Sequence, residues 1–289
     1  MKIGIMPPLG TPIATPAYVR RVAKAAEDLG FHSMWAPEHV VLFEEYSSRY
    51  PYTADGRLAV APGRGIIDPF AVLTFAAAVT DRIRLGTGIC LVPQRNPVYT
   101  AKEVASLDWL SNGRFDFGIG IGWLAEEFAA LQVPWAKRAQ RTREYLEVMQ
   151  ALWQDGLSEY HGDFYDLPAC RQEPNPIQSP HPPFVFGGES EPALRRVAEV
   201  GQGWFGFDLD PEEAADKIGH LTVLLEQNNR SRAQVEVSVC PLRRPASRAL
   251  VEAYQEAGVD QVIFVMGGRD SDDVVHRLEG LAKEVVGNW

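Results

Sequence analysis

The most regular stretch of this chain runs from Asp68 to Trp123. Its apolar and polar positions read in order as helix, buried strand, loop, helix, buried strand and glycine-rich turn. The apolar runs Ile83–Val92 and Phe115–Ile121 are too continuous for strands with one wet face. Each joins the next through a helix-length crossover, the arrangement of a parallel sheet covered on both sides. The rhythm extends in both directions. Lys2–Met6 predicts a first strand stopped by Pro7 and Pro8, and Phe31–Trp35 a second. Between them, Thr15–Leu29 predicts a helix with Val19, Val22, Ala23, Ala26 and Leu29 on one stripe and Gly30 as its stop.

Beyond Trp123, Lys137–Trp153 predicts a long helix carrying Arg141, Glu144 and Tyr145 after the break at Pro134, and Tyr160–Leu167 alternates like one arm of a hairpin. Regular units resume with strand Phe184–Phe186, helix Pro192–Val200, strand Gly203–Phe207 and helix Pro211–Gln227. Strands Val235–Val239 and Gln261–Val265 follow, with helices over Ala246–Ala257 and Asp272–Val286. Eight strands, each followed by a helix and with no linker composition dividing them, predict a single (β/α)8 barrel domain over residues 1–289 rather than a doubly wound sheet.

Two segments break the pattern. Pro37–Ile67 has no period but carries the rings of His39, Phe43, Tyr46, Tyr50 and Tyr52, and reads as a lid over the mouth of the barrel. Pro168–Pro183 is proline-rich and reads as an insertion between strands four and five.

Composition narrows the function. A net charge of −10 with scattered acidic residues argues against a nucleic-acid or anionic-membrane partner and for a small-molecule substrate. Three cysteines, Cys90, Cys170 and Cys240, without CxxC spacing suggest neither a disulfide framework nor a zinc site. Cys90 reads as a small core residue. No HExxH motif or clustered His/Asp spacing occurs, so no catalytic metal is expected. The start, MKIGIMPP, enters a strand directly and no window approaches eighteen apolar residues, which suits a cytoplasmic protein.

Candidate chemistry gathers at the ends of strands. Glu38 and His39 follow strand two, where an imidazole can exchange a proton and Glu38 can orient it or raise its pKa. Gly118-Ile119-Gly120-Ile121-Gly122-Trp123 fails as a dinucleotide fingerprint because Trp123 replaces the third glycine. Its glycines allow a flat ring or a neighbouring backbone to approach closely, or serve barrel packing alone. Gly187-Gly188-Glu189-Ser190 opens a helix and offers an anion site, with a plain N-cap role for Ser190 as the alternative.

Four segments, AEDLGFHSMWAPEHV, DPFAVLTFAAAVTDRIRLGTGI, RNPVYTAKEVASLDWLSNGRFDFGIGIGW and PHPPFVFGGES, together resemble the bacterial luciferase-like monooxygenase superfamily. The EHV–SRYPY and GIGIGWLAEEF segments are similar to its branch that uses 8-hydroxy-5-deazaflavin, coenzyme F-420. The resemblance implies a cis peptide at Gly88-Ile89 against the cofactor ring. It also implies a phosphate turn at Gly187, Gly188 and Ser190 and a polar contact to the cofactor from Arg141. Glu38 and His39 match the acidic-His pair of deazaflavin-dependent sugar-phosphate dehydrogenases, in which the His is the base. Trp123 stands where those enzymes carry a glutamate, which argues against a sugar phosphate and for an aromatic pocket walled by Phe43, Tyr50 and Trp123. The expected activity is hydride transfer between F-420 and a small organic substrate. The alternative is an FMN monooxygenase supplied by a separate flavin reductase, and a redox-free barrel enzyme or a non-catalytic flavin binder also stay open. A homodimer through the second and third helices is expected.

Overall fold

Eight parallel strands follow one another along the chain in a computed structural model that describes residues 1–58, 63–242 and 244–287. They are β1 (Lys2–Met6), β2 (Ser33–Ala36), β3 (Arg84–Thr87), β4 (Phe115–Gly120), β5 (Phe184–Gly187), β6 (Gly203–Phe207), β7 (Glu236–Cys240) and β8 (Gln261–Val265). Chain ends meet where β1 pairs with β8 from Lys2↔Gln261 to Met6↔Val265. The pairings Leu85↔Phe115 and Gly86↔Asp116 join β3 to β4, so the sheet closes into a (β/α)8 barrel. The crossovers are α1 (Pro16–Asp28), α2 (Pro69–Ala77), α3 (Pro97–Leu110), α4 (Ala125–Ala130), α5 (Arg138–Leu152), α6 (Glu191–Val200), α7 (Pro211–Gln227) and α8 (Arg248–Glu256), and α9 (Ser271–Val285) follows the last strand.

The strands alternate between two cores. Outward residues such as Ile3, Ile5, Phe117, Phe184, Trp204 and Val262 pack under the helices. Inward residues Met6, Trp35, Val185, Phe205, Cys240 and Ile263 fill the barrel itself. Trp35 is the plug: its indole lies 5.2 Å from the Phe205 ring, and its Nε1 donates to Ser33 Oγ at 2.8 Å. A Cβ on Gly86 would come within 2.4 Å of that indole, so a strand residue without a side chain is needed beside it.

Three expectations change in detail. The run Ile83–Val92 is not one strand: β3 ends at Thr87, the cis Gly88-Ile89 bond interrupts it, Cys90–Leu91 resumes pairing with β4, and Val92–Gln94 turns as a short 3-10 helix. Periodicity cannot register such a break, since every residue across it stays apolar. Tyr160–Leu167 is not one arm but parts of two, because Ser158–His161 pairs antiparallel with Asp166–Cys170 around an intervening turn. The Glu144 carboxylate holds that turn by accepting from the backbone N–H groups of Asp163, Phe164 and Tyr165 at 3.0, 2.6 and 2.6 Å. Finally, β4 is followed by two helices, α4 and α5, rather than one. Positions 59–62 of the expected lid lie outside the described residues.

Candidate active site

A cavity of about 390 Å³ opens at the C-terminal ends of the strands. Its walls come from the strand ends, the cis-peptide segment and the lid: Met6, His39, Ile89, Gly120, Trp123 and Gly187 lie around it with Tyr50, Tyr52, Phe205 and Phe207. Most of that lining is apolar. Among the described residues no group of three His, Cys, Asp or Glu side chains is placed to hold a metal ion, and no helix is long and apolar enough to cross a membrane.

Ile89 lies at the centre of this wall. A Cβ on Gly120 would meet Ile89 Cδ1 at 2.5 Å and a Cβ on Gly187 would meet it at 2.4 Å. Between them the two glycines leave room for one isoleucine side chain. Gly118 serves a different neighbour, since its Cβ would fall 1.7 Å from the Thr87 carbonyl oxygen. Of the two roles weighed for the GIGIG glycines, close approach by a neighbouring strand is therefore present inside the protein itself. Gly188 has φ +107, the left-handed region that glycine enters without cost, and so swings the chain into α6.

The pairing of His39 differs from expectation. Glu38 does not face His39: its Oε1 accepts from Arg95 Nε at 2.7 Å and its Oε2 from the Leu91 N–H at 2.5 Å. Arg95 also pairs with Asp68 at 2.7 Å and Glu103 at 2.9 Å, so Glu38 belongs to a buried ionic cluster that fixes the segment after the cis bond. His39 Nδ1 instead lies 3.3 Å from Oε2 of Glu127, from α4. Adjacent residues on an extended chain point to opposite sides, which is why neighbours in sequence part company here. Glu127 also accepts from the Val40 N–H at 2.7 Å and from Gln94 Nε2 at 3.0 Å. Burial pushes the Glu127 carboxyl up, but the hydrogen bonds from His39, Gln94 and the backbone together hold it below the usual carboxylate range. It is therefore ionised beside the imidazole at neutral pH.

Its neighbour Glu126 anchors the lid further along, accepting from the Ser47 N–H at 2.6 Å and Ser48 Oγ at 2.7 Å. The Ser48 hydroxyl and the backbone N–H groups lower its pKa to about 2. Trp123 lies under the lid, its ring centroid 5.8 Å from His39, 5.7 Å from Tyr46 and 5.1 Å from Tyr50. Tyr52 closes the far side, donating to Glu189 Oε2 at 3.0 Å and packing 4.6 Å from Phe207. Burial is the main cause that raises the pKa of Glu189, and its Oε1 accepts from the Phe207 N–H at 2.8 Å. Glu189 thus turns toward the lid.

The structure brings together Glu38, His39, Tyr50, Gly88, Ile89, Gly120, Gly122, Trp123, Gly187 and Gly188 around one cavity. Three expected residues stand outside its lining. Phe43 is half-buried in the lid. Ser190 is exposed at the N-cap of α6 and makes no side-chain capping bond, so the N-cap alternative is met in position but not in hydrogen bonding. Arg141 is buried, and its guanidinium donates to the carbonyls of Pro134 at 2.7 Å and Ala136 at 3.1 Å, where it braces the entry to α5. Glu126 and Glu127 are the residues sequence reasoning missed, since two adjacent carboxylates in a short helix read the same whether they hold a lid or face solvent.

The family model described as Luciferase-like monooxygenase matches residues 1–284. An uncharacterised protein of Mycobacterium tuberculosis is 32% identical over 275 residues, covering 94% of each chain. The oxygenase component of a flavin-dependent trigonelline monooxygenase from Acinetobacter baylyi is 31% identical over 71% of this chain and 53% of its own. Among solved structures, the monooxygenase RslO1 of Streptomyces bottropensis superposes with a TM-score of 0.79 at 20% identity, covering 99% of each chain. The coenzyme F420-dependent tetrahydromethanopterin reductase of Methanopyrus kandleri gives 0.76 at 20% identity, covering 99% of this chain and 98% of that one. The family-model match along almost the whole sequence and the full-length relative lead to one conclusion: the chain belongs to the luciferase-like monooxygenase family.

Proposed function

We propose that this protein is a two-electron oxidoreductase whose central cavity holds a deazaflavin ring and an apolar organic substrate, with His39 managing the proton that accompanies hydride transfer. The observation that carries this reading is His39 in the wall of a mostly apolar cavity, backed by the buried Glu127 carboxylate. The residues present suit a flat ring. Five glycines, Gly88, Gly120, Gly122, Gly187 and Gly188, line the cavity, and Ile89, seated between Gly120 and Gly187, gives an apolar surface to lie against. A ring of this class supplies the carbon that gives or receives hydride.

The protein's own contribution follows from the geometry. With Nδ1 committed to the Glu127 carboxylate, the neutral imidazole carries its proton there and leaves Nε2 as the acceptor. The ionised carboxylate stabilises the imidazolium that forms when His39 takes a proton, and it orients the ring. Trp123, Tyr50 and Tyr52 exclude water from above. The substrate would be uncharged and at least partly apolar, since among the described residues the lid side of the cavity offers rings and aliphatic side chains.

An oxygenase using reduced FMN from a separate reductase is the second reading, favoured by the likeness to the trigonelline oxygenase component. Anaerobic incubation with oxidised deazaflavin and a panel of alcohols, or with the reduced form and ketones and enones, separates the two. Deazaflavin turnover without oxygen supports the first reading, and substrate-dependent oxygen uptake with reduced FMN supports the second. The exposed Tyr99, Trp109 and Leu110 on α3 fit the expected homodimer, which sedimentation would test.

A further inference from the structure

The lid over the cavity is tied down at two places that differ in kind. Its base, residues 46–48, is fixed from α4: Glu126 accepts from the Ser47 N–H at 2.6 Å and from Ser48 Oγ at 2.7 Å, and Ser48 Oγ in turn accepts from the Ala125 N–H at 2.9 Å. Where the chain returns, Arg57 donates to the Tyr46 carbonyl at 2.8 Å and the Leu58 N–H to the Tyr46 hydroxyl at 2.7 Å. Both ends of the intervening loop are therefore pinned at one place.

That loop, residues 49–56, closes on itself. The Tyr50 N–H donates to the Gly56 carbonyl at 2.8 Å, and the Gly56 N–H to the Thr53 carbonyl at 3.1 Å. It carries Tyr50 and Tyr52, which line the cavity. Tyr50 rests edge-on against Trp123 with centroids 5.1 Å apart, and Tyr52 against Phe207 at 4.6 Å. On the far side of the mouth the Tyr52 hydroxyl donates to Glu189 Oε2 at 3.0 Å. Glu189 is itself held: its Oε1 accepts from the Phe207 N–H at 2.8 Å, and the Gly188 carbonyl before it accepts from Trp204 Nε1 at 3.0 Å. Of the two partners in the Tyr52–Glu189 bond, the loop is the one free to move.

The two ties are unequal. Glu126 holds the base as an ionised carboxylate, and hydrogen bonds to a full charge are the stronger kind. Burial raises the pKa of Glu189, so the bond to Tyr52 keeps less of that advantage. A self-bonded loop pinned at its base and held more weakly at its tip opens from the tip. We infer that residues 49–56 form a flap that swings about its base to admit and release ligand, and that Glu189 is the positioning residue that latches it shut through Tyr52. The inference rests on the reading that the central cavity holds a flavin or deazaflavin ring. Glu189 directly follows the cavity-lining pair Gly187-Gly188, so the wall that receives the ring also holds the flap that covers it.

The test reads rates, because a gate and a contact differ there. Losing a contact to the ligand raises koff alone, whereas releasing a gate raises kon and koff together and leaves Kd nearly unchanged. Stopped-flow fluorescence with oxidised F-420 and with FMN measures both constants. They should rise together by about three- to tenfold, the range set by one hydrogen bond of ordinary net strength, in Tyr52→Phe, which keeps the ring and removes the donor, and in Glu189→Ala. Glu189→Gln should stay near the wild type, since its carbonyl can accept from the Phe207 N–H and its amide can donate to the Tyr52 oxygen. A rise in koff alone, or no change in either constant, overturns the inference. So does acceleration in Ser48→Ala but not in Tyr52→Phe, which would put the opening at the base. Acrylamide quenching of Trp123, taken as the difference from Trp123→Phe, reads the flap without any ligand and should increase in Tyr52→Phe and Glu189→Ala. If the wild type binds neither ring, the reading of the cavity fails and this quenching alone decides the flap: an increase upholds it, and no change overturns it.

Discussion

His39 Nδ1 lies 3.3 Å from Glu127 Oε2, across 88 positions of sequence, while Glu38 next to it in the chain faces Arg95. On the proposed reading the base would come from the segment after β2 and its orienting carboxylate from α4. Replacing His39 by Ala should lower proton-coupled turnover by about 10²–10⁴-fold while ring affinity is retained. Glu127→Gln preserves an acceptor for the Val40 N–H but removes the charge, so its loss in kcat should be smaller. Single-turnover kinetics beside equilibrium titration measures both. Equal losses of kcat and ring affinity in His39→Ala would point to a packing role instead.

Glu38 acts through the ionic cluster. Arg95→Met leaves its buried carboxylate without a counter-ion, and breaking a buried pair in this way costs about 3–5 kcal/mol. Adding Glu38→Gln should recover much of that loss. Urea unfolding of the two single variants and the double variant closes the cycle, and strictly additive losses would deny the coupling.

Ile89 fits between two glycines, so its terminal methyl should decide whether Gly187 tolerates a side chain. In Gly187→Ala the new Cβ would lie 2.4 Å from Ile89 Cδ1, which must swing into the cavity. Ring binding should weaken more than stability, the latter falling by about 1–3 kcal/mol as in other overpacked sites. Ile89→Val lacks that methyl and should restore binding in the double variant. Calorimetric binding with thermal unfolding reads both effects.

The lid should loosen in acid. The carboxyl of Glu126 has its pKa lowered from 4.5 to about 2 by its lid contacts, so the stability it gives the lid is present above 4.5 and lost as pH falls toward 2. Tyr46 and Tyr50 pack on Trp123 from that lid, so Trp123 emission should change over the same interval. Glu126→Gln should abolish that acid transition; its persistence would assign it to another carboxyl.

Much of the barrel was legible in the sequence because its outward strand residues are almost continuously apolar, as Phe115, Phe117 and Ile119 show. Its interior was less so. Trp35 fits only because Gly86 across the pairing lacks a side chain, a relation no periodicity records. The Gly187-Gly188 turn was visible from its place between strand and helix. The contact of Glu127 with His39 was not, because nothing local distinguishes a lid-anchoring carboxylate from a solvated one. The contacts of Arg141 were hidden for a similar reason: its position in the family pattern does not tell that its guanidinium turns back onto the preceding loop.

The central claim is that the cavity takes a deazaflavin ring. It is tested most directly by titrating the apoprotein with oxidised coenzyme F-420 and, in parallel, with FMN, following fluorescence quenching. The account predicts micromolar or tighter binding of the deazaflavin and weak binding of FMN. The reverse preference would contradict it in favour of an oxygenase fed by a reductase, and binding of neither would leave the barrel without the redox role assigned to it.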